Sequence, residues 1–202
     1  GTGVRERGAA RVDEIIQTTK KILVNDGLAD LSTRRVAREL GISIGNLHYY
    51  FSTKNDLLKA VIEDVIRGYD EEFERKAKLF PNAPRKRIEA FVLYLIADAK
   101  KPEVRAFFYQ LWGMSVQNNF AADLRDKTYR RFVDMMVDML APLHPDKSIA
   151  ELKSLAMSIS APIEGLHVTF GLGKEMLDQY PEMDELLFQQ IMRNIDYGCS
   201  NT

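Results

Sequence analysis

Between Ser32 and Phe51 the chain spells two short helices with a single glycine between them. Ser32 is an N-cap for "TRRVAREL", where Val36, Ala37 and Leu40 share a face and Gly41 stops the helix. Only Ile42 separates Gly41 from a second cap, Ser43, which opens "IGNLHYYF". Helices this short cannot each bury a core of their own. Leu47 and Phe51, four apart, turn towards Val36, Leu40 and Ile42, as in a helix-turn-helix whose second helix enters the DNA major groove. An ordinary helical hairpin has the same spacing, and the rings argue against it. With Leu47 and Phe51 inward, His48 and Tyr49 face outward and Tyr50 lies towards the edge. Rings with hydrogen-bonding groups, followed by Lys54, suit phosphate oxygens and base edges better than water. Gly45 lets the helix N-terminus come close to the groove, where its backbone N–H groups favour phosphate. Asn46 has the amide that pairs with an adenine edge.

The rest of the chain reads as helices. An apolar stripe with a 3.6-residue period runs from Arg11 to Asn25 and ends at Asp26-Gly27. Thr53 with Asp56 forms a capping box for a long helix carrying Leu57, Leu58, Val61, Ile62, Val65, Ile66, Tyr69 and Phe73, which "FPNAP" breaks after about Leu79. Pro102, "QNN", "APLHPD" and "QYP" divide the remainder into segments near 85–100, 103–116, 120–140, 148–172 and 181–197, the last followed by Gly198. No alternating strand pattern of useful length occurs. The expected fold is all-α. An N-terminal three-helix DNA-binding domain, residues 1–55, is joined through the long helix to a helical ligand-binding and dimerisation domain, residues 56–202.

Several function classes are excluded by what is missing. The sequence has no Gly-rich phosphate loop, nucleophile elbow or Cys/His metal spacing, so neither an enzyme nor a cofactor is expected. The acidic group Asp70, Glu71, Glu72 and Glu74 reads as a solvated helix face. A lone cysteine, Cys199, rules out an intramolecular disulfide framework, and no apolar run is long enough for a bilayer; both point to the cytoplasm and away from membranes. Residues 1–54 hold 9 Lys+Arg against 6 Asp+Glu, whereas the whole chain has 28 against 29, so the basic end is the one with the exposed rings.

"LSTRRVARELGISIGNLHYYFSTKNDLL" resembles the signature of the tetracycline-repressor (TetR) family of bacterial transcription regulators. The likeness is dense over the first quarter of the chain and one of architecture beyond it. It implies an all-helical homodimer that binds a palindromic double-stranded operator and is released by a small effector, most simply as a repressor. Carried over position by position, Ser43, Ile44, Gly45, Asn46, His48 and Tyr49 fall where the family contacts DNA. Thr33, Arg34, Tyr50 and Lys54 fall at backbone-clamping positions. His48 departs from the family pattern, in which Tyr is frequent, and an imidazole there would make DNA binding pH-sensitive.

The C-terminal part suggests a pocket for a mainly apolar effector. Tyr94, Phe107, Phe108, Trp112, Met136 and Phe170 are large side chains on successive helices that either fill a bundle's centre or line a cavity in it. Glu164 and His167, three apart on one face beside the helix-interrupting Pro162, would be the orienting polar groups. Glu-x-x-His is also di-iron bundle spacing, but no second copy exists in the chain, so no metal is expected. Met157, Ala161, Phe188, Ile191 and Ile195 are the expected dimer contacts. An activator, or a helical protein-interaction module without an effector, would use the same helices.

Overall fold

The computed structural model describes residues 2–171 and 178–197; Leu172, Gly198 and Cys199 lie outside them. Among the described residues the regular structure is helical: α1 (Thr2–Asp26), α2 (Thr33–Glu39), α3 (Ile44–Tyr50), α4 (Lys54–Leu79), α5 (Pro84–Ala99), α6 (Pro102–Gln117), α7 (Asn119–Leu140), a 3-10 turn (Ala141–Leu143), α8 (Ile149–Phe170) and α9 (Met183–Tyr197). None of these helices is long and apolar enough to cross a membrane. The first helix starts well before the expected Arg11. Residues 2–10 have no apolar stripe, but Arg5, Glu6, Arg7, Ala9 and Ala10 are strong helix formers.

The helix ends follow from local chemistry. Thr53 accepts from the Asp56 amide at 3.1 Å while the Asp56 carboxylate takes the Thr53 N–H at 2.9 Å, the reciprocal box that starts α4. Ser148 and Glu151 repeat it for α8. Arg87 donates to the carbonyls of Phe80 and Pro81, both at 3.1 Å, where "FPNAP" ends α4. Asn118 accepts from the Phe120 amide at 2.9 Å to open α7. Pro162 sits inside α8, which runs helically past it to Phe170.

The chain divides into two compact units that differ from the expected split at residue 55. The first comprises residues 1–68 and 109–125, the second 69–108 and 126–202. In the first, Ile15, Leu23, Val36, Leu47, Leu57 and Val61 are fully buried, and Gln17 on α1 donates to Asp64 on α4 at 3.2 Å. In the second, α5, α8 and α9 pack on one another around Phe91, Ile159, Leu187, Ile191 and Ile195, with Met136 and Met139 from α7. Phe91 meets Phe73 edge-on at 6.4 Å and stacks with Phe132 at 6.5 Å. Burying each such ring contributes about 1.5–3 kcal/mol.

Candidate nucleic-acid interface and buried polar core

The turn between α2 and α3 is built from backbone. Gly41 takes φ +64°, a left-handed conformation that favours glycine, and the Ile42 amide reaches back to the Ala37 carbonyl at 3.0 Å. Ser32 then accepts from the Arg35 amide and Ser43 from the Asn46 amide, each at 3.1 Å. These caps fix both helix starts. Arg35 is held by Asp26 at 2.6 Å, which ties α2 to the end of α1.

With Leu47 fully buried, the other side of α3 faces solvent. Ser43, Ile44, Gly45, Asn46, His48 and Tyr49 are all exposed, Tyr49 to 82%. Exposure that large leaves an aromatic ring without a core role. Tyr50 is half-buried and packs edge-on against Tyr49 at 4.9 Å. On α2, Arg34 is exposed and Thr33 half-buried, with Thr33 Oγ1 3.5 Å from His48 Nε2. Lys54 is placed differently from a side chain reaching into solvent: its ammonium donates to the Leu28 carbonyl at 2.6 Å, joining the start of α4 to the α1–α2 loop.

In the second unit a polar cluster lies among the apolar side chains. Asp98 is buried and accepts from the Tyr69 hydroxyl at 2.8 Å and from the Lys101 ammonium at 2.9 Å. Burial and the neighbouring Asp98 carboxylate hold the Tyr69 phenol well above its ordinary range. Arg105 is fully buried and donates to the Lys100 carbonyl at 2.6 Å. His167 is buried with its ring 4.8 Å from that of Phe108. Burial pushes His167 down to about 4, with the Arg105 guanidinium adding to the effect and Asp98 opposing it. Burial pushes Glu164 up to about 7, against a hydrogen bond from Tyr129. Glu164 Oε2 is 3.9 Å from His167 Nε2, but with the imidazole held neutral the two do not form an ion pair near neutral pH. Glu164 Oε2 is buried without a hydrogen-bond partner. Among the described residues, no group of three His, Cys, Asp or Glu could hold a metal ion.

Comparison with known proteins assigns this architecture. Residues 15–61 match the family of bacterial regulatory proteins described as tetR, and residues 84–191 match the C-terminal region of BetI-type transcriptional repressors. The chain belongs to the TetR family. These are DNA-binding transcription regulators, not enzymes. The regulator BetI of Burkholderia mallei is 27% identical over 177 residues, covering 87% of this chain and 88% of that protein. A transcriptional regulator from Pseudomonas aeruginosa PAO1 shares the fold with a TM-score of 0.76 at 19% identity, covering 94% of this chain and 90% of that one. A second, from Saccharomonospora viridis and solved in complex with choline, superposes with a TM-score of 0.62 at 20% identity over 93% and 96% of the two chains.

Within this TetR-family chain the expected site residues separate. Phe107, Phe108, Met136, Glu164, His167 and Phe170 all lie in the second unit. Tyr94 is there too, stacked on Phe91 at 6.0 Å with Lys76 over its ring. Trp112 belongs to the first unit, where its ring meets Tyr109 at 6.0 Å. Tyr69, Asp98, Arg105 and Tyr129 were not anticipated. The signal lay in the apolar stripe: Asp98 follows Phe91 and Leu95 at helical spacing, and Arg105 sits three before Phe108, so each is a charge on a buried face. The expected dimer contacts also divide. Met157 and Ala161 are exposed on α8, whereas Ile191 and Ile195 are in the chain's own core, and the half-buried Phe188 packs against it. The outer faces of α8 and α9 instead present Met157, Val168, Leu186 and Tyr197, each 49% exposed or more.

The raised Glu164 pKa has a consequence for stability. Its folded value of about 7 lies above the ordinary 4.5, so folding favours the protonated form. The cost is absent below the unfolded value, grows as pH rises between the two, and is complete above the folded one. Glu164→Gln stays neutral throughout. The variant is expected to be more stable than the parent chain by about 2 kcal/mol at pH 8 and to converge with it by about pH 4. Urea unfolding at the two pH values measures this, and an equal gain at both would contradict the assignment. His167 acts in the other direction. Its folded value lies below the ordinary 6.5, so its contribution is lost as pH falls from 6.5 through about 4.

Proposed function

We propose that the chain is a cytoplasmic repressor that binds a palindromic operator as a homodimer and releases it when a mainly apolar effector enters the C-terminal unit. DNA binding rests on the outward face of α3, where Asn46, His48 and Tyr49 are exposed beside the exposed Arg34 of α2. The effector reading rests on one observation: Glu164 buries a carboxylate oxygen that no protein group satisfies. A buried acceptor without a donor costs about 1–3 kcal/mol, which a ligand with a cationic or N–H-bearing head would recover. Tyr69 and Tyr129 interact with Glu164, and Phe108 packs on His167, so polar and apolar surface adjoin the carboxylate. The choline bound by the Saccharomonospora viridis regulator is such a cation on the same fold. The effector binds the DNA-incompetent state more tightly, and by reciprocity DNA weakens the effector by the same factor.

A cation beside Glu164 favours its ionised form and expels the proton that burial retains. Titrating choline and a series of longer alkyl-ammonium ions by calorimetry is therefore expected to release up to about one proton per site at pH 6 and close to none at about pH 8.5. Buffers of different ionisation enthalpy read that number directly. Binding that persists unchanged in Glu164→Gln, without proton release, would place the effector elsewhere.

A further inference from the structure

We propose that Gln110 is a positioning residue for DNA binding, acting through the backbone of Leu28 although it lies far from the helix-turn-helix in sequence. The inference rests on the reading of α2 and α3 as the DNA-contacting helices and adds to it a residue outside them. Gln110 is on α6, inside the stretch matched as the C-terminal region, yet it belongs to the same compact unit as α1, α2 and α3.

Its role follows from how the α1–α2 loop is held. The Leu28 amide donates to Gln110 Oε1 at 3.3 Å. The Leu28 carbonyl accepts from Lys54 Nζ at 2.6 Å and from the Leu31 amide at 3.3 Å. One residue in the loop is thus gripped through both of its backbone polar groups, by α6 on one side and by the start of α4 on the other. Gly27 sets the path of the turn beside Gln110. It takes φ +86°, a left-handed backbone conformation that a larger residue would strain, and a Cβ there would lie in ordinary contact with the Gln110 amide nitrogen, at 3.5 Å. Leu31 is buried, and Thr33 begins α2 only five residues after Leu28. Thr33 and Arg34 therefore inherit their position from a loop whose amide anchor is Gln110. The contact from Thr33 Oγ1 to His48 Nε2, at 3.5 Å, passes that position on to α3.

Without the acceptor, the half-buried Leu28 N–H has no protein partner in this arrangement and the loop gains alternatives to its native path. The globular core, centred on Leu23, Val36, Leu47 and Leu57, is untouched. The expected result is a loss of DNA-binding geometry without a loss of fold.

The test uses the full chain and a duplex selected on it from a randomised pool, with a mixed-sequence duplex as control. Gln110→Leu is expected to weaken the selected duplex by about five- to tenfold, the size of one neutral hydrogen bond. Affinity for the mixed-sequence duplex should fall by less than affinity for the selected one, through the displaced Arg34, and the slope against salt should stay nearly the same, because Gln110→Leu removes no charge. Gln110→Glu keeps an acceptor at Oε1 and is expected to restore binding, which a general loss of packing would not allow. Hydrogen exchange at the Leu28 amide provides a second readout that needs no DNA: protection falls in Gln110→Leu and is retained in Gln110→Glu. The proposal is overturned if Gln110→Leu binds the selected duplex like the parent, if Gln110→Glu falls as far as Gln110→Leu, or if Leu28 exchange is the same in all three. If the parent chain selects no duplex at all, the DNA-binding reading itself fails, while the exchange result still reports on the anchor.

Discussion

Replacing Asn46 or Tyr49 with alanine is expected to cost about 1–3 kcal/mol each in affinity for a selected duplex, while affinity for mixed sequence survives. Both side chains are exposed on the face of α3 opposite the buried Leu47, three residues apart and so neighbours on one surface. Tyr49 is further prepared for contact, since its ring leans edge-on against Tyr50 at 4.9 Å. Ordering it on binding therefore costs less than ordering a free side chain. Because neither residue carries a positive charge, the dependence of affinity on salt should keep its slope, in contrast to removal of a phosphate-contacting cation. Stability should move by no more than about 0.5 kcal/mol, since a ring 82% exposed supports little of the fold. Competition binding with selected and scrambled duplexes measures the split. A double variant that retains the parent's sequence preference would remove α3 from the groove.

Introducing charge on the outer face of α8 or α9 is expected to have the other large effect. Val168→Glu and Leu186→Glu place carboxylates at positions 64% and 57% exposed in the single chain, so each variant should fold normally. If these faces pair in a homodimer, the same change occurs twice across a twofold interface and confronts like charges. Sedimentation should then report monomers. Loss of the second half-site would lower affinity for a palindromic duplex by about 10²–10⁴-fold, because binding of the second half is no longer intramolecular. Ile191→Glu is the informative contrast. Ile191 is 1% exposed within the chain's own core, so a charge there should unfold the second unit and not merely separate two folded copies. Dimers that persist in Val168→Glu and Leu186→Glu would move the interface to another surface.

The contrast between Ile191 and Leu186 illustrates where sequence reading stops. Periodicity identified an apolar stripe on α9, and the stripe is real: Leu187, Ile191, Met192 and Ile195 are all buried. A stripe says that a face is covered but not by what, since a neighbouring helix and a second chain remove the same area from water. Here α5 and α8 of the same chain cover it. Lys54 shows the same limit for a charged residue. The resemblance puts it at a backbone-clamping position, and the tertiary structure adds a partner that spacing alone does not show, a carbonyl 26 residues away in sequence. Trp112, grouped by size and spacing with the pocket residues, falls in the other compact unit because α6 contributes to both.

What the sequence determined by itself was local and periodic. The caps at Ser32, Ser43 and Thr53, the Gly41 turn, the all-helical class and the outward rings of α3 each depend on residues within a few positions of one another, and the structure has them all. What only the tertiary structure decided depends on long-range approach. The pairing of Tyr69 with Asp98, the placement of His167 against Phe108 and the grip of Gln110 on Leu28 join residues 29, 59 and 82 positions apart. Helix signals survive in one dimension because a helix closes its hydrogen bonds within four residues. A buried polar cluster does not, because its groups meet only after the helices have packed, and burial then changes their chemistry: Glu164 and His167 share one helix face, but packing moves one up towards neutrality and the other down.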